Sequence, residues 1–289
     1  MERSKQTHVE RSRGNLLRAY LLRWNWLRRN WLRRAALTTL VFLGILVAWQ
    51  VVVSWWEIHP IILPSPIRVG RVGWQERRVL LIGFCLTGAA AGLGLLSSVV
   101  LGTLAAVVFS QSRWLRSAFY PYVVFLQTVP IVAIAPLLIT WFGYGFRTVV
   151  LVACIISLFP VISNVTAGLL SVDQNLKDLF QLGRATRLQV LVKLRIPLAV
   201  SHLILGTRIS AGLAVVGAII GEFFVGNGAG GYQGLGTLMT GWQNLARTDA
   251  LMAVVLTSTL LGLVMISLVN WISRIALWRW TSSSHFEGE

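Results

Sequence analysis

Several runs of 20 or more residues in this 289-residue chain contain no charged side chain. At 1.5 Å per residue, a helix of ~20 residues crosses the ~30 Å hydrocarbon core of a bilayer. Charged residues make up 12% of the chain and hydrophobic residues 55%; soluble domains carry about 25% charged. A water-soluble globular fold is excluded, and an all-α, polytopic membrane bundle is predicted. Six spans are read, roughly Ala36–Trp56, Val79–Phe109, Ala118–Trp141, Thr148–Leu170, Ile196–Glu222 and Ala250–Ser273.

The net charge is +16, and ten of the 26 basic residues fall in the first 34 positions. Basic residues before a first span hold that end in the cytoplasm, so this arm is read as a topology or membrane-surface element and no nucleic-acid partner is expected. Trp24, Trp26 and Trp31, interleaved with leucines and arginines, suit a helix lying in the interface. Arg113, Arg116, Lys177, Arg184, Arg187, Lys193 and Arg195 then fall on the same side. An even span count places both termini inside. The expected organisation is a basic arm at 1–34, a membrane domain at 35–280 and a short tail at 281–289.

Gly88-xxx-Gly92 in the second span and Gly217-xxx-Gly221 in the fifth are spaced for close helix approach. Pro121, Pro130, Pro136 and Pro160 interrupt helical hydrogen bonding, which persists where neighbours or a water-filled cavity satisfy the freed groups. Cys85 and Cys154 both lie in apolar runs and are expected as buried small hydrophobes.

Catalytic patterns are missing. His8, His59, His202 and His285 are scattered, no metal site is expected, and there is no GxSxG elbow. None of the three lysines follows a glycine, so no phosphate loop is present and no cofactor is expected in this chain. Gly226-Asn227-Gly228-Ala229-Gly230-Gly231 satisfies GxGxxG but follows a membrane span, where the pyrophosphate-binding context is absent. Gly226–Gly241 is read as flexible backbone capping the outer helix ends. Two ionisable groups interrupt the fifth span. Arg208 lies ~18 Å beyond Ile196, near mid-membrane, and is read either as an attractive site for a polar or anionic solute or as a structural hub. Glu222, near the outer end, is read as a gate or interface residue. Gln127, Pro130, Arg208 and Glu222 are the candidates for the translocation path.

Between the fourth and fifth spans lies a polar segment, Ser171–Pro197. It carries Asp173, Lys177, Asp178, Arg184, Arg187, Lys193 and Arg195, yet keeps Leu176, Leu179, Phe180, Leu188 and Leu191 at helical spacing. An amphipathic helix outside the membrane needs a partner for its apolar face.

This segment resembles the coupling motif of ABC importer permeases: EAA, three residues, Gly, nine residues, then I-x-L-P. Leu194-Arg195-Ile196-Pro197 is similar to the I-x-L-P end, and the count back places Asp178-Leu179-Phe180 at EAA. Arg184 then stands where the glycine belongs, with Gly183 one place early, so the turn either slips by one residue or has a different geometry. Leu63-Pro64-Ser65-Pro66, Trp141-Phe142-Gly143-Tyr144-Gly145, Gly206-Thr207-Arg208-Ile209 and Gly221-Glu222-Phe223 resemble stretches of the nitrate/sulfonate/taurine permease group.

The resemblance implies the membrane subunit of an ATP-driven importer in the bacterial inner membrane. It implies a cytoplasmic ABC ATPase dimer that carries ATP and Mg, an extracytoplasmic solute-binding protein and a permease homodimer. The solute would be nitrate, a sulfonate, taurine or a vitamin-like heterocycle. Asp178, Leu179, Phe180, Gly183, Arg184, Leu194, Ile196 and Pro197 would couple to the ATPase. The rival readings are an ion-coupled secondary transporter or channel, and a lipid-modifying membrane enzyme, for which the spans supply no acid, base or metal site.

Overall fold

The computed structural model describes residues 36–226 and 232–281, with side chains to Ile275. The expected basic arm, most of the GxGxxG stretch and the end of the tail lie outside the described residues. Every regular element among the described residues is helical. The chain divides between Arg68 and Val69 into two compact units.

The first unit holds α1 (Ala36–Trp55), which presents apolar side chains such as Leu40, Phe42, Ile45 and Trp55 on all sides. A helix apolar all round is suited to lipid. At its end, Ser65 Oγ accepts a 3.4 Å hydrogen bond from the Arg68 amide, and Pro66 opens α2 (Pro66–Gln75). The Leu63–Pro66 motif is thus a helix start, with serine as cap and proline in the first turn, where its missing N–H costs nothing.

The second unit is built on α3 (Arg77–Gln111), α6 (Phe146–Leu170) and α9 (Ile196–Val225), with α6 packed on both others. Ala106, Val161, Val165, Leu169 and Ala199 form the core where the three meet. Glycines set the spacing. A Cβ at Gly94 would stand 2.6 Å from the Ala153 Cβ, one at Gly102 2.8 Å from Val161, and one at Gly217 2.8 Å from the Ala153 Cα. Gly217 and Gly221 both face α6, as the spacing predicts. Gly88 and Gly92 do not serve in this way: Gly88 meets only a Leu261 methyl at 3.2 Å and Gly92 has nothing within 4 Å. They border an open apolar groove of about 460 Å³ between α3, α9 and α11 (Thr248–Thr281). The close face of α3 is carried instead by Gly94 and Gly102, eight residues apart. Cys154 is buried but Cys85 is exposed, contrary to expectation, because α3 turns that side outward.

The third span is not continuous. It is split into α4 (Arg113–Thr128) and α5 (Ile131–Phe142), bent by 100°. Pro130 supplies no amide, and a residue before proline avoids helical torsions; Val129 is extended at φ −71°, ψ 126°. Among the described residues five helices are long and apolar enough to cross a membrane, and the count reaches the expected six when the bent pair is taken as one broken span. Gly143 ends α5 at φ 80°, ψ 173°, a region of positive φ that glycine adopts without steric cost, and its carbonyl accepts from Thr148 Oγ1 at 2.7 Å as α6 begins. The stretch expected as flexible backbone up to Gly241 instead contains α10 (Leu235–Asn244), which packs against α3, α9 and α11.

Candidate functional site

The polar segment folds as two short helices. Asp173 Oδ1 accepts from the Asn175 amide at 2.7 Å and starts α7 (Gln174–Leu182). At the other end, Arg184 N donates to Gln181 O at 2.9 Å and Ala185 N to Phe180 O at 3.0 Å. This paired closure leaves one residue in the left-handed conformation, a place usually taken by glycine. That residue is Arg184, at φ 50°, whereas Gly183 has φ −74°. The turn therefore does not slip: the arginine itself adopts it. Thr186 and Gln189 then form a reciprocal capping box that starts α8 (Arg187–Val190). A π-helical turn, Leu191–Arg195, leads into α9.

The apolar face of α7 is Leu176, Leu179 and Leu182, spaced by three, and Leu182 is 83% exposed. On α8, Leu188 is also exposed, at 68%. Phe180 and Leu191, which helical spacing alone groups with them, are half-buried, and Leu191 packs on the core cluster. Asp178 is exposed and accepts from Gln174 Nε2 at 3.0 Å. Leu194 is buried, Pro197 half-buried and Ile196 exposed. Arg195 donates from Nη1 to the Ser110 carbonyl at 2.7 Å, which ties the segment to the end of α3. Leu182 was missed as a candidate residue, although its place three residues after Leu179 was visible.

No hydrogen bond or ion pair among the described residues joins any two of the four path candidates. Gln127 and Pro130 are exposed at the α4–α5 break. Arg208 is half-buried, and its Nε is enclosed without a hydrogen-bond partner. Glu222, ~21 Å further along α9, is fully buried. Its Oε2 accepts from Thr87 Oγ1 and the Gly236 amide, and its Oε1 from the Tyr232 hydroxyl, each at 2.8 Å. Thr87 Oγ1 in turn accepts from the Leu235 amide at 2.8 Å. Burial, reinforced by the charge and hydrogen bond of Glu222, pushes the Tyr232 phenol above its ordinary range, so it remains a donor. Nearby, Arg247 pairs with Glu76 at 3.0 Å and lies over the Trp242 ring. No group of three or more potential metal ligands occurs among the described residues.

These two constellations lie at opposite ends of the second unit. The segment of α7 and α8 joins the end of α6 to the start of α9 and touches the end of α3. The Glu222 cluster joins the first third of α3, the end of α9 and the start of α10. The arrangement has an exposed leucine face at one end and a fastened short helix at the other.

Residues 98–277 match the family model described as binding-protein-dependent transport system inner membrane component. Riboflavin transport system permease protein RibX of Chloroflexus aurantiacus is 32% identical over 83% of this chain and 88% of its own length. Formylaminopyrimidine transport permease protein ThiX of Halalkalibacterium halodurans is 30% identical over 83% of this chain and 95% of its own. The fold is similar to that in a crystal structure of an amino acid ABC transporter with histidines, with a TM-score of 0.56 at 16% identity, covering 69% of this chain and 95% of that one.

Proposed function

The chain belongs to the family of binding-protein-dependent transport system inner membrane components, and from that premise we propose that it forms the membrane path of an ATP-binding-cassette importer, with α7 as the helix that docks a separate ATPase. It sits in the bacterial inner membrane with the end bearing α7 in the cytoplasm. Two copies pair, ATP and Mg are held by a cytoplasmic ATPase dimer, and an extracytoplasmic binding protein delivers the solute. The names of the two relatives favour a nitrogen heterocycle of the vitamin type as that solute.

The observation that carries this reading is the exposed row Leu176, Leu179 and Leu182 on a helix held between two spans. Leucines left in water on a firmly capped helix gain by entering a groove on another protein. Leu179 and Leu182 are the anchors, with Asp178 beside them as a charged rim; Phe180 supports the helix from its inner side. Alternating access follows when the ATPase closes on ATP and carries α7 with it, provided that nucleotide binds the two states unequally.

Leu179→Glu with Leu182→Glu is expected to lower both ATPase co-purification and ATP-driven uptake at least tenfold, while membrane insertion is unchanged. Full uptake with normal ATPase binding by this doubly altered chain would sink the docking assignment. For the solute, thermal stabilisation of the cognate binding protein by pyrimidines or flavins is expected, and stabilisation only by nitrate or sulfonates would overturn the heterocycle reading.

A further inference from the structure

Glu222 accepts hydrogen bonds from three neutral donors, and no cation within bonding reach among the described residues balances it. One donor is the amide of Gly236, the second residue of α10, among the amides that a helix start leaves without internal partners. Side-chain oxygens usually satisfy such amides from the residue just before the helix. Here that residue is Gly234, which makes no side-chain cap. A carboxylate from another helix does the work, at the positive end of the α10 dipole.

The glycines on either side follow from this. A Cβ at Gly234 would overlap the Glu222 carboxylate, and one at Gly236 would overlap the Ile219 carbonyl. Thr87 closes the arrangement by donating to Glu222 and accepting from the Leu235 amide. One acid thus binds α3, α9 and α10 at a single point. Beside it, an open pocket of about 310 Å³ runs along α10, lined by Tyr232, Thr237, Leu238, Trp242 and Leu245.

We propose that Glu222 is the positioning residue of an outer gate: it caps α10 from a neighbouring helix, and the end of the path away from the ATPase opens when α10 leaves that cap. The inference rests on the importer reading. The three bonds to neutral donors depend on one another's geometry, so a lift of α10 breaks them together, which makes the closure two-state rather than gradual.

The test uses the assembled transporter in nanodiscs, with Cys85→Ser, Cys154→Ala and Leu238→Cys as the parent. Leu238 packs against Gly83 of α3, so its thiol is shielded while α10 is seated. In the parent, a membrane-impermeant maleimide should label slowly without nucleotide and faster after trapping with ATP and vanadate. Adding Glu222→Gln should raise the nucleotide-free rate at least tenfold and bring the ratio of the two rates near one. Tyr232→Phe should raise the nucleotide-free rate about threefold and serves as the test if the glutamine variant does not assemble. Parent-like rates, or lowered thermal stability with the nucleotide ratio intact, would show a structural role only and overturn the gate. A parent that ignores nucleotide would also overturn the gate, whereas a parent that neither binds the ATPase nor takes up solute with ATP would count against the importer reading.

Discussion

At Arg184 the backbone takes φ 50°, a conformation that costs a side chain bearing a Cβ ~1–2 kcal/mol and costs glycine little. Arg184→Gly should therefore match or exceed the parent in thermal stability, by up to ~1 kcal/mol, and retain transport. Arg184→Val, β-branched, should lose at least ~1 kcal/mol. Glycines that look alike in sequence should also behave oppositely. Gly217→Ala places a methyl 2.8 Å from the Ala153 Cα, and overpacking of this kind costs ~1–3 kcal/mol. Gly92→Ala meets nothing and should gain up to ~1 kcal/mol from helix propensity. Thermal unfolding of the two variants in detergent checks the difference in sign.

At the scale of elements, chain chemistry announces some boundaries and hides others. Ser65-Pro66 and Thr186 with Gln189 are local signals, since cap and capped amide lie within three residues. Thr186→Ala should remove about 1 kcal/mol from the start of α8. Amides there should then exchange with deuterium about fivefold faster, while those of α7 are unchanged. The α4–α5 bend was only half visible: Pro130 marks a break, but a proline inside a span can also leave a mild kink, as Pro121, Pro136 and Pro160 remain within their helices. Its angle depends on what packs around the two halves. α10 was hidden because its start has no capping side chain of its own; the cap comes from Glu222, twelve residues before Gly234 and on another helix.

Across the whole molecule, α9 connects the two constellations. It runs from the segment of α7 and α8 to Glu222, and the distance from Arg195 to Glu222 is ~40 Å along its axis. Its glycine-faced contact with α6, and the 2.6 Å bond from Ser210 Oγ to the Ser157 carbonyl, make these two helices one stiff body. Vesicles holding the chain with its ATPase should accumulate solute only when nucleotide and binding protein are both supplied. Uptake driven by a proton or sodium gradient alone would favour the ion-coupled class. Periodicity and charge by themselves determined the helical membrane bundle, its long apolar helices and the amphipathic segment between the fourth and fifth expected spans, because burial in lipid selects composition over whole runs of residues. The tertiary structure decided which leucines face outward, that Arg184 makes the turn, that α3 approaches α6 through Gly94 and Gly102, and that Glu222 fastens α10. The outward leucines, the α3–α6 approach and the fastening of α10 depend on contacts between residues far apart in the chain, which no local pattern encodes. The Arg184 turn is closed locally, by Arg184 N to Gln181 O and Ala185 N to Phe180 O, but with an arginine where glycine is the usual choice.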